Sequence, residues 1–489
     1  MSPSNRWLVL AIVSSALFLI VIDMTVLYTA LPTLTHELRA TATEKLWIIN
    51  AYPLVVAGLL PGVGTLGDRL GHKRMFMAGL VVFGLASLGA AFSPTPAWLI
   101  AARALLAVGA AMMMPATLSL IRLTFIDEKE RAFAIGVWAA VASGGAAFGP
   151  VVGGALLEHF WWGSVFLINV PVVIVALLAG ATLLPSRPGN SDHPWDLVGS
   201  IQVMVGLVGL TYAIKELAKR DPSWLAAGLA FAVGLLAMVV FVRRQLASRS
   251  PLIDFSLFAN PRFSAGVATA MVASAALIGV ELVFSQRLQL VLGLSPLQAG
   301  LVILPIPLAA FIAGPVTGLA LPRIGAVRVL WSSLLLAGAT LAAYLMVYRG
   351  ETWLWLTALS AMGFGFGAAM TAASSVIMLS APEERAGMAA SIEEVSFELG
   401  GALGIAFLGS LMSALYTYAL VLPNGIAAQA ADSLDEALLI AERLGPTEAT
   451  ELTRLAGAAF DQAFVGVIAA AAALLILVSL VIWRRTATA

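Results

Sequence analysis

Gly64-Thr65-Leu66-Gly67-Asp68-Arg69-Leu70-Gly71 and Gly318-Leu319-Ala320-Leu321-Pro322-Arg323-Ile324-Gly325 are one pattern written twice. Each copy ends a long apolar run, and sliding the chain past itself by about 254 residues superposes the two. The same shift lays the first apolar run on a ninth and the fifth on a thirteenth. A loop that recurs with its flanking runs at one spacing implies two equivalent halves.

Composition says what the halves are made of. Of 489 residues, 60% are hydrophobic and 11% charged, more apolar surface than a water-soluble core hides. Runs of roughly 20 apolar residues, the length that crosses a bilayer as a helix, recur about fourteen times. They fall at roughly 7–31, 46–66, 75–93, 97–121, 132–156, 165–184, 197–216, 224–242, 263–292, 297–321, 327–348, 353–380, 386–416 and 459–483. The fold class is an all-α integral membrane protein: two six-helix bundles and two inserted helices. The first run is too long for a signal-peptide core and carries Asp23, so it reads as a retained span.

The boundaries follow from the repeat. Residues 1–184 form the first bundle, 185–262 a linker with the two extra spans (7 and 8), and 263–489 the second bundle. Lys and Arg divide between alternate loops as about 17 against about 9, which puts both termini in the cytoplasm. With that orientation the acidic stretch near 418–453 is external, and its apolar spacing, broken at Gly445-Pro446, predicts a short helical hairpin over the outer mouth. The inserted spans offer no mid-span acid and are expected at the periphery. Net charge is zero, with 27 basic and 27 acidic residues, so no nucleic-acid partner is indicated. Cysteine is absent, which excludes disulfides, Cys-ligated metals and thiol nucleophiles.

Within the first loop the glycines permit a tight turn, and Asp68 is placed to pair with a cation or a helix N-terminus of the other half. The cluster Arg69, His72, Lys73, Arg74 holds the loop on one face. In span 5, Gly145-x-x-x-Gly149-Pro150-x-x-Gly153-Gly154 supplies small residues four apart for close helix approach, with a proline at the seam. These two motifs resemble those of the major facilitator superfamily, the second its antiporters. Asp23-Met-Thr25-Val-Leu-x-x-Ala30-Leu-Pro32, Trp47-Ile-Ile-Asn50-x-Tyr52, Phe166-Leu-Ile-Asn169-Val-Pro171 and Gly293-Leu-Ser-Pro-Leu-Gln-Ala-Gly300 narrow the likeness to its 14-span drug:proton antiporters. That resemblance implies a proton-coupled exporter of quaternary ammonium cations, viologens and lipophilic dyes, multi-pass in a bacterial inner membrane. It implies no catalytic residue, no metal and no cofactor beyond the proton gradient, with lipophilic cations, protons and lipid as partners of a monomer. It also makes Gly64, Asp68, Arg69 and Gly71 a conformational latch.

Intramembrane carboxylates survive where they handle ions or protons. Asp23 is by resemblance the foremost site acid. Glu394 and Glu398 share a helix face, and two carboxylates in one low-dielectric pocket do not easily stay ionised together, which suits proton exchange. Glu393 points about 100° away, toward either a helix seam or the cytoplasmic vestibule. The repeat maps Asp23 onto Leu277, one turn before Glu281, which either flanks the cavity opposite Asp23 or sits at the outer rim with Arg287. Arg103, a cation inside span 4, requires a carboxylate or carbonyl partner. Asn50 stands where the resembling exporters often carry an aspartate, which shifts cation contact onto aromatic faces: Trp47, Tyr52, Trp138, Phe284 and Phe397. Met112-Met113-Met114 is either an adaptable wall or lipid-facing filler.

Other functions fit less well. No phosphate-binding Gly-x-x-x-x-Gly-Lys-Ser/Thr loop occurs, and His36, His72, His159 and His193 lie in or near loops, away from any intramembrane nucleophile. The rival is a proton-coupled importer of peptides or other small nutrients, which also inserts two helices between halves. The Glu-x-x-Glu-Arg pattern of such importers is missing from span 1.

Overall fold

The computed structural model describes residues 3–40, 42–189, 196–217, 222–248, 251, 253–294, 296–422, 426, 428–431 and 433–487. Seventeen α-helices occur among them and no strand. The first half holds α1 (Pro3–Glu37), α2 (Ala42–Leu70), α3 (His72–Ala91), α4 (Pro96–Thr124), α5 (Glu128–His159), α6 (Ser164–Leu167) and α7 (Asn169–Leu183). The insertion is α8 (Leu197–Leu217) and α9 (Trp224–Ala247). The second half holds α10 (Pro261–Gln286), α11 (Pro296–Ile303), α12 (Pro305–Ile324), α13 (Ala326–Val347), α14 (Thr352–Ser380), α15 (Ala386–Ala419), α16 (Leu434–Ala441) and α17 (Pro446–Ala487). Thirteen stretches are long and apolar enough to span a bilayer; α6 with α7, and α11 with α12, each form one of them. Of the fourteen spans expected, the one not among these thirteen is the glycine- and alanine-rich α5, 32 residues long.

Local chemistry sets the helix ends. Thr95 accepts the Trp98 N–H at 3.2 Å and Pro96 opens α4, while Asp127 accepts the N–H groups of Lys129 and Glu130 at 3.0 and 2.9 Å to open α5. Asn260, ahead of Pro261, does the same for α10, each side chain satisfying donors the helix leaves free. The repeated loop motif is visible in the backbone. Gly71 and Gly325 have φ of 96° and 92°, a region open to glycine at little cost, and each breaks the chain between two antiparallel spans.

The two halves meet through a pseudo-twofold pair of seams. α2 packs on α15, and its repeat equivalent α12 packs on α5, the equivalent of α15. Both seams are tightest at the end of the bundle where Arg6, Arg69, Lys73, Arg131, Arg323 and Arg385 gather, called here the basic end. A Cβ on Gly64 would stand 2.5 Å from the Gly387 carbonyl oxygen and 2.6 Å from Ser391 Cβ, and Gly136 and Gly314 are pressed together in the other seam. Within each half the glycine motifs also pair. Gly145 and Gly149 face Val21 and Thr25 of α1, while Gly400 and Gly404 face Met271 and Ala275 of α10, so the looser span-13 glycines do the same packing as those in span 5.

The inserted helices depart from expectation. α9 lies at the outside, with Trp224, Leu225 and Leu236 exposed, but α8 is wedged against α2 and touches α15. It therefore reaches the central cavity, and the peripheral placement expected of both helices is corrected for α8. The pair is joined at the basic end by Asp196, which accepts hydrogen bonds from Arg244 Nε and Nη2 at 3.2 and 3.0 Å and from Gln245 at 3.1 Å. Partial burial would raise the Asp196 pKa, but these bonds and the Gly199 N–H outweigh it and hold the carboxyl below its usual range.

Within the acidic segment near 418–453, the described residues include a short helix and a turn. Ser433 caps α16, the chain turns near Gly445, and α17 starts at Pro446. Tyr416 and Thr417 hydroxyls donate to the carbonyls of Ala430 and Ala431 at 3.1 and 2.8 Å. Those bonds and the packing of α16 on α17 fasten the segment to its own half.

Candidate functional site

A cavity of about 320 Å³ lies between the halves. Its wall takes Leu17, Val21 and Met24 from α1, Pro53 and Ala57 from α2, Met114 from α4, Trp138 and Ala142 from α5, Ser274 and Ile278 from α10, and Met370 from α14. α15 contributes Glu394, Phe397, Glu398, Gly401 and Ile405, all on one helical stripe. The wall is apolar apart from a few groups, so the two glutamates dominate its electrostatics. Glu394 is 4% exposed and its Oε1 has no hydrogen-bond partner.

Shape and orientation of the wall come from its neighbours. Trp138 Nε1 donates to Thr117 Oγ1 at 3.0 Å, which fixes the indole where it borders the cavity. The Ser274 hydroxyl donates to the Phe397 carbonyl at 2.7 Å, holding α10 to α15 beside the acids. Met24, Met114 and Met370 give the cavity three flexible, polarisable side chains. Of the methionine triplet, Met114 alone is in the wall.

Asp23 and Arg103 are elsewhere. Both are buried, paired at 2.9 Å, and Asp23 also accepts from Asn169 Nδ2 at 3.1 Å. Arg103 Nε donates to the Ile48 carbonyl at 3.2 Å, and its guanidinium lies 4.9 Å from the centre of the Tyr52 ring. Asn169 reaches on to Ser87 at 3.2 Å. The network therefore ties α1, α2, α3, α4 and α7 together behind the cavity wall. Asp23 is bracketed in sequence by the wall residues Val21 and Met24 but points away from them, because adjacent helical residues face about 100° apart.

At the basic end, Asp68 accepts the backbone N–H groups of Gly387 and Met388 at 2.9 and 3.1 Å, with His72 Nε2 at 3.3 Å. A carboxylate of one half thus caps the N-terminus of a helix of the other, where partial positive charge collects. α15 has no side-chain cap of its own, unlike α5 with Asp127. The repeat accounts for the difference: Pro322 replaces Asp68 in the second copy, and the helix it would have capped carries its own aspartate. Arg122 adds a complementary contact, donating to the Ala381 carbonyl at 2.7 Å at the C-terminal end of α14. Arg187 pairs with Glu383 at 2.8 Å on the surface, an exposed contact of small energy.

Several expected site residues lie away from the cavity. Glu393 is fully buried in the α14–α15 seam and accepts the Ser374 hydroxyl. Phe284 sits in an aromatic cluster with Tyr344 and Phe464, at 4.9 and 5.3 Å between ring centres, deep in the second half. Tyr52 lies under Arg103, and Trp47 stacks on Tyr212 of α8 at 6.0 Å. The aromatic wall is thus corrected to Trp138 and Phe397. Arg287 is taken by Asp461 at 2.8 Å and by the Tyr348 and Phe464 rings. Glu281 is half-buried one turn beyond Ile278, and among the described residues the ion pair of Arg287 is with Asp461. Gly154 meets no neighbour, and the side chains of Asn50 and Pro150 lie outside the described residues.

Sequence alone marks no role for Asn169, Arg122 or Ser374, nor for Thr211 of α8, which also borders the cavity. An asparagine inside an apolar span is a readable signal of a buried hydrogen-bond network, and Arg122 is legible only as one more basic charge.

The profile of the Major Facilitator Superfamily matches residues 13–404. The methyl viologen resistance protein SmvA of Salmonella typhimurium is 42% identical over 99% of both chains. The multidrug efflux pump LfrA of Mycolicibacterium smegmatis is 39% identical over 94% of this chain and 92% of its own. The crystal structure of the human organic anion transporter MFSD10 matches 97% of this chain and 100% of that one with a TM-score of 0.64, at 15% identity, a likeness of fold. Two pseudo-symmetric helical halves around a central cavity, a family profile spanning both, and relatives alike from end to end lead to one assignment: the chain belongs to the Major Facilitator Superfamily.

Proposed function

We propose that this protein exports lipophilic cations from the cell in exchange for protons. The observation that carries the reading is the pair Glu394 and Glu398 on one face of α15, in an otherwise apolar cavity between halves that are closed at the basic end. The aromatic and methionine wall suits a lipophilic body of variable shape, and the carboxylates suit its charge. A bound cation and bound protons compete for the same two acids, so each expels the other. The names of the relatives, resistance to methyl viologen and multidrug efflux, support the same class of cargo. With the basic end in the cytoplasm, the arrangement described is the outward-facing one.

Vesicles with an acidic interior separate this reading from the importer. Antiport should drive methyl viologen into such vesicles as protons leave, whereas a symporter would carry both outward. Accumulation that persisted after proton and sodium gradients had been collapsed would overturn the proposal.

Asp68 then serves as the latch of the outward-facing state. Asp68→Asn keeps one acceptor oxygen but loses the charge that faces the α15 N-terminus. A loss of about 1–1.5 kcal/mol shifts a two-state equilibrium about tenfold. Because the chain lacks native cysteine, spin labels on two introduced cysteines can measure separation across the basic end. The long-distance population should grow in Asp68→Asn; an unchanged distribution would remove Asp68 as a latch.

A further inference from the structure

We propose that the inserted helix α8 is part of the cation site, and that Thr211 selects among cations by hydrogen bonding to those that carry N–H groups. The inference deepens the efflux reading and rests on it.

Close packing brings α8 to the cavity. A Cβ on Gly58 of α2 would stand 2.9 Å from Met204 and Val208 side-chain carbons, and one on Gly62 would stand 2.9 Å from Ser200 Oγ. The stack of Trp47 on Tyr212 fixes the rotation of α8 beside Thr211. With that rotation Thr211 enters the wall, in company with Pro53 and Ala57 of α2 and Glu394 and Glu398 of α15.

The hydroxyl itself is unusual. Thr211 is 4% exposed and its Oγ1 has no hydrogen-bond partner. A helical threonine has a carbonyl within reach three or four residues earlier, and Thr25, Thr65, Thr117, Thr124, Thr269 and Thr371 all use it. Thr211 does not. Glu394 Oε1, in the wall of the same cavity, is likewise without a partner. The Thr211 hydroxyl can accept as well as donate and the Glu394 carboxylate accepts, so a ligand that brings N–H donors can satisfy both oxygens. A primary or secondary ammonium, an amidinium or a guanidinium does so; a tetraalkylammonium of equal charge does not. A site built to hydrogen-bond its ligand discriminates against an analogue lacking the donor more strongly than apolar fit alone.

Octylguanidinium and octyltrimethylammonium share chain and charge, and only the first has N–H groups. Their affinities for the full chain in lipid nanodiscs, read by displacement of a fluorescent lipophilic cation, give a ratio. Thr211→Val keeps the branched shape and removes the hydroxyl, so the ratio should move about tenfold against octylguanidinium, the worth of one hydrogen bond. Thr211→Ser should restore it, and Thr211→Ala should repeat the valine result if that variant cannot be recovered. A ratio unchanged in the variants, whether both affinities fall together or neither falls, overturns the assignment while leaving the efflux reading in place. Failure of the unaltered protein to bind either cation would instead overturn the efflux reading, and this inference with it.

Discussion

Asp23→Ala should destabilise the protein by about 3–5 kcal/mol, because it strands the buried Arg103 guanidinium without its carboxylate. Removing one partner of a buried ion pair costs far more than the pair contributes, since the remaining charge keeps its desolvation penalty. Here Arg103 also meets the Ile48 carbonyl at 3.2 Å and the Tyr52 ring at 4.9 Å, and neither neutralises it. Asn169 would lose an acceptor as well. Asp23→Ala combined with Arg103→Met should recover most of the loss, so thermal unfolding of the four species gives a coupling of at least about 2 kcal/mol. Additive losses would mean that the two residues do not act as a unit. Cation binding by the double variant adds a second test. If it folds but binds no cation, Asp23 belongs to the cation site directly and its position behind the wall is not the resting one in transport.

The difference between what the sequence discloses and what it conceals has a geometric origin. Span positions depend on runs of apolar residues, and the repeat on a fixed separation, both one-dimensional properties. Asp68 was legible for a similar reason: a carboxylate between glycines at a helix end has few partners available other than a neighbouring helix terminus. Glu394 and Glu398 were legible as a pair because a spacing of four fixes a shared face. Which face looks inward is another matter. A helix in lipid is apolar all round, so no polar stripe marks its rotation. That is why Phe284, expected in the cavity wall, packs with Tyr344 and Phe464, and why Asp23, expected to face the cavity from the first half, pairs behind its wall with Arg103. α8 escaped for a further reason. Its Thr211 is an ordinary residue in an ordinary span, and only its packing against Gly58 and Gly62 of α2 brings it to the site.

The double variant Glu394→Gln, Glu398→Gln should abolish proton-driven exchange and weaken cation binding by about 10- to 100-fold, since a charge-assisted contact contributes about 1.5–3 kcal/mol. The two acids are the only carboxylates among the described residues of the cavity wall, so no neighbouring group takes over the lost charge. Each single variant should retain cation binding, because one carboxylate remains to face the cation, but should move fewer protons per cation. Coupling is the discriminating readout. A transporter whose protons are carried elsewhere would lose affinity in these variants while its proton stoichiometry stayed fixed. Glu393→Gln supplies the internal comparison: its carboxyl meets Ser374 in the α14–α15 seam, so its neutralisation should appear in thermal stability rather than in affinity. Proton flux measured against cation flux in vesicles, for both single variants and the double, decides between these outcomes. Unchanged stoichiometry in all three would move the proton site away from α15, and the half-buried Glu281 on α10 would be the next carboxylate to test.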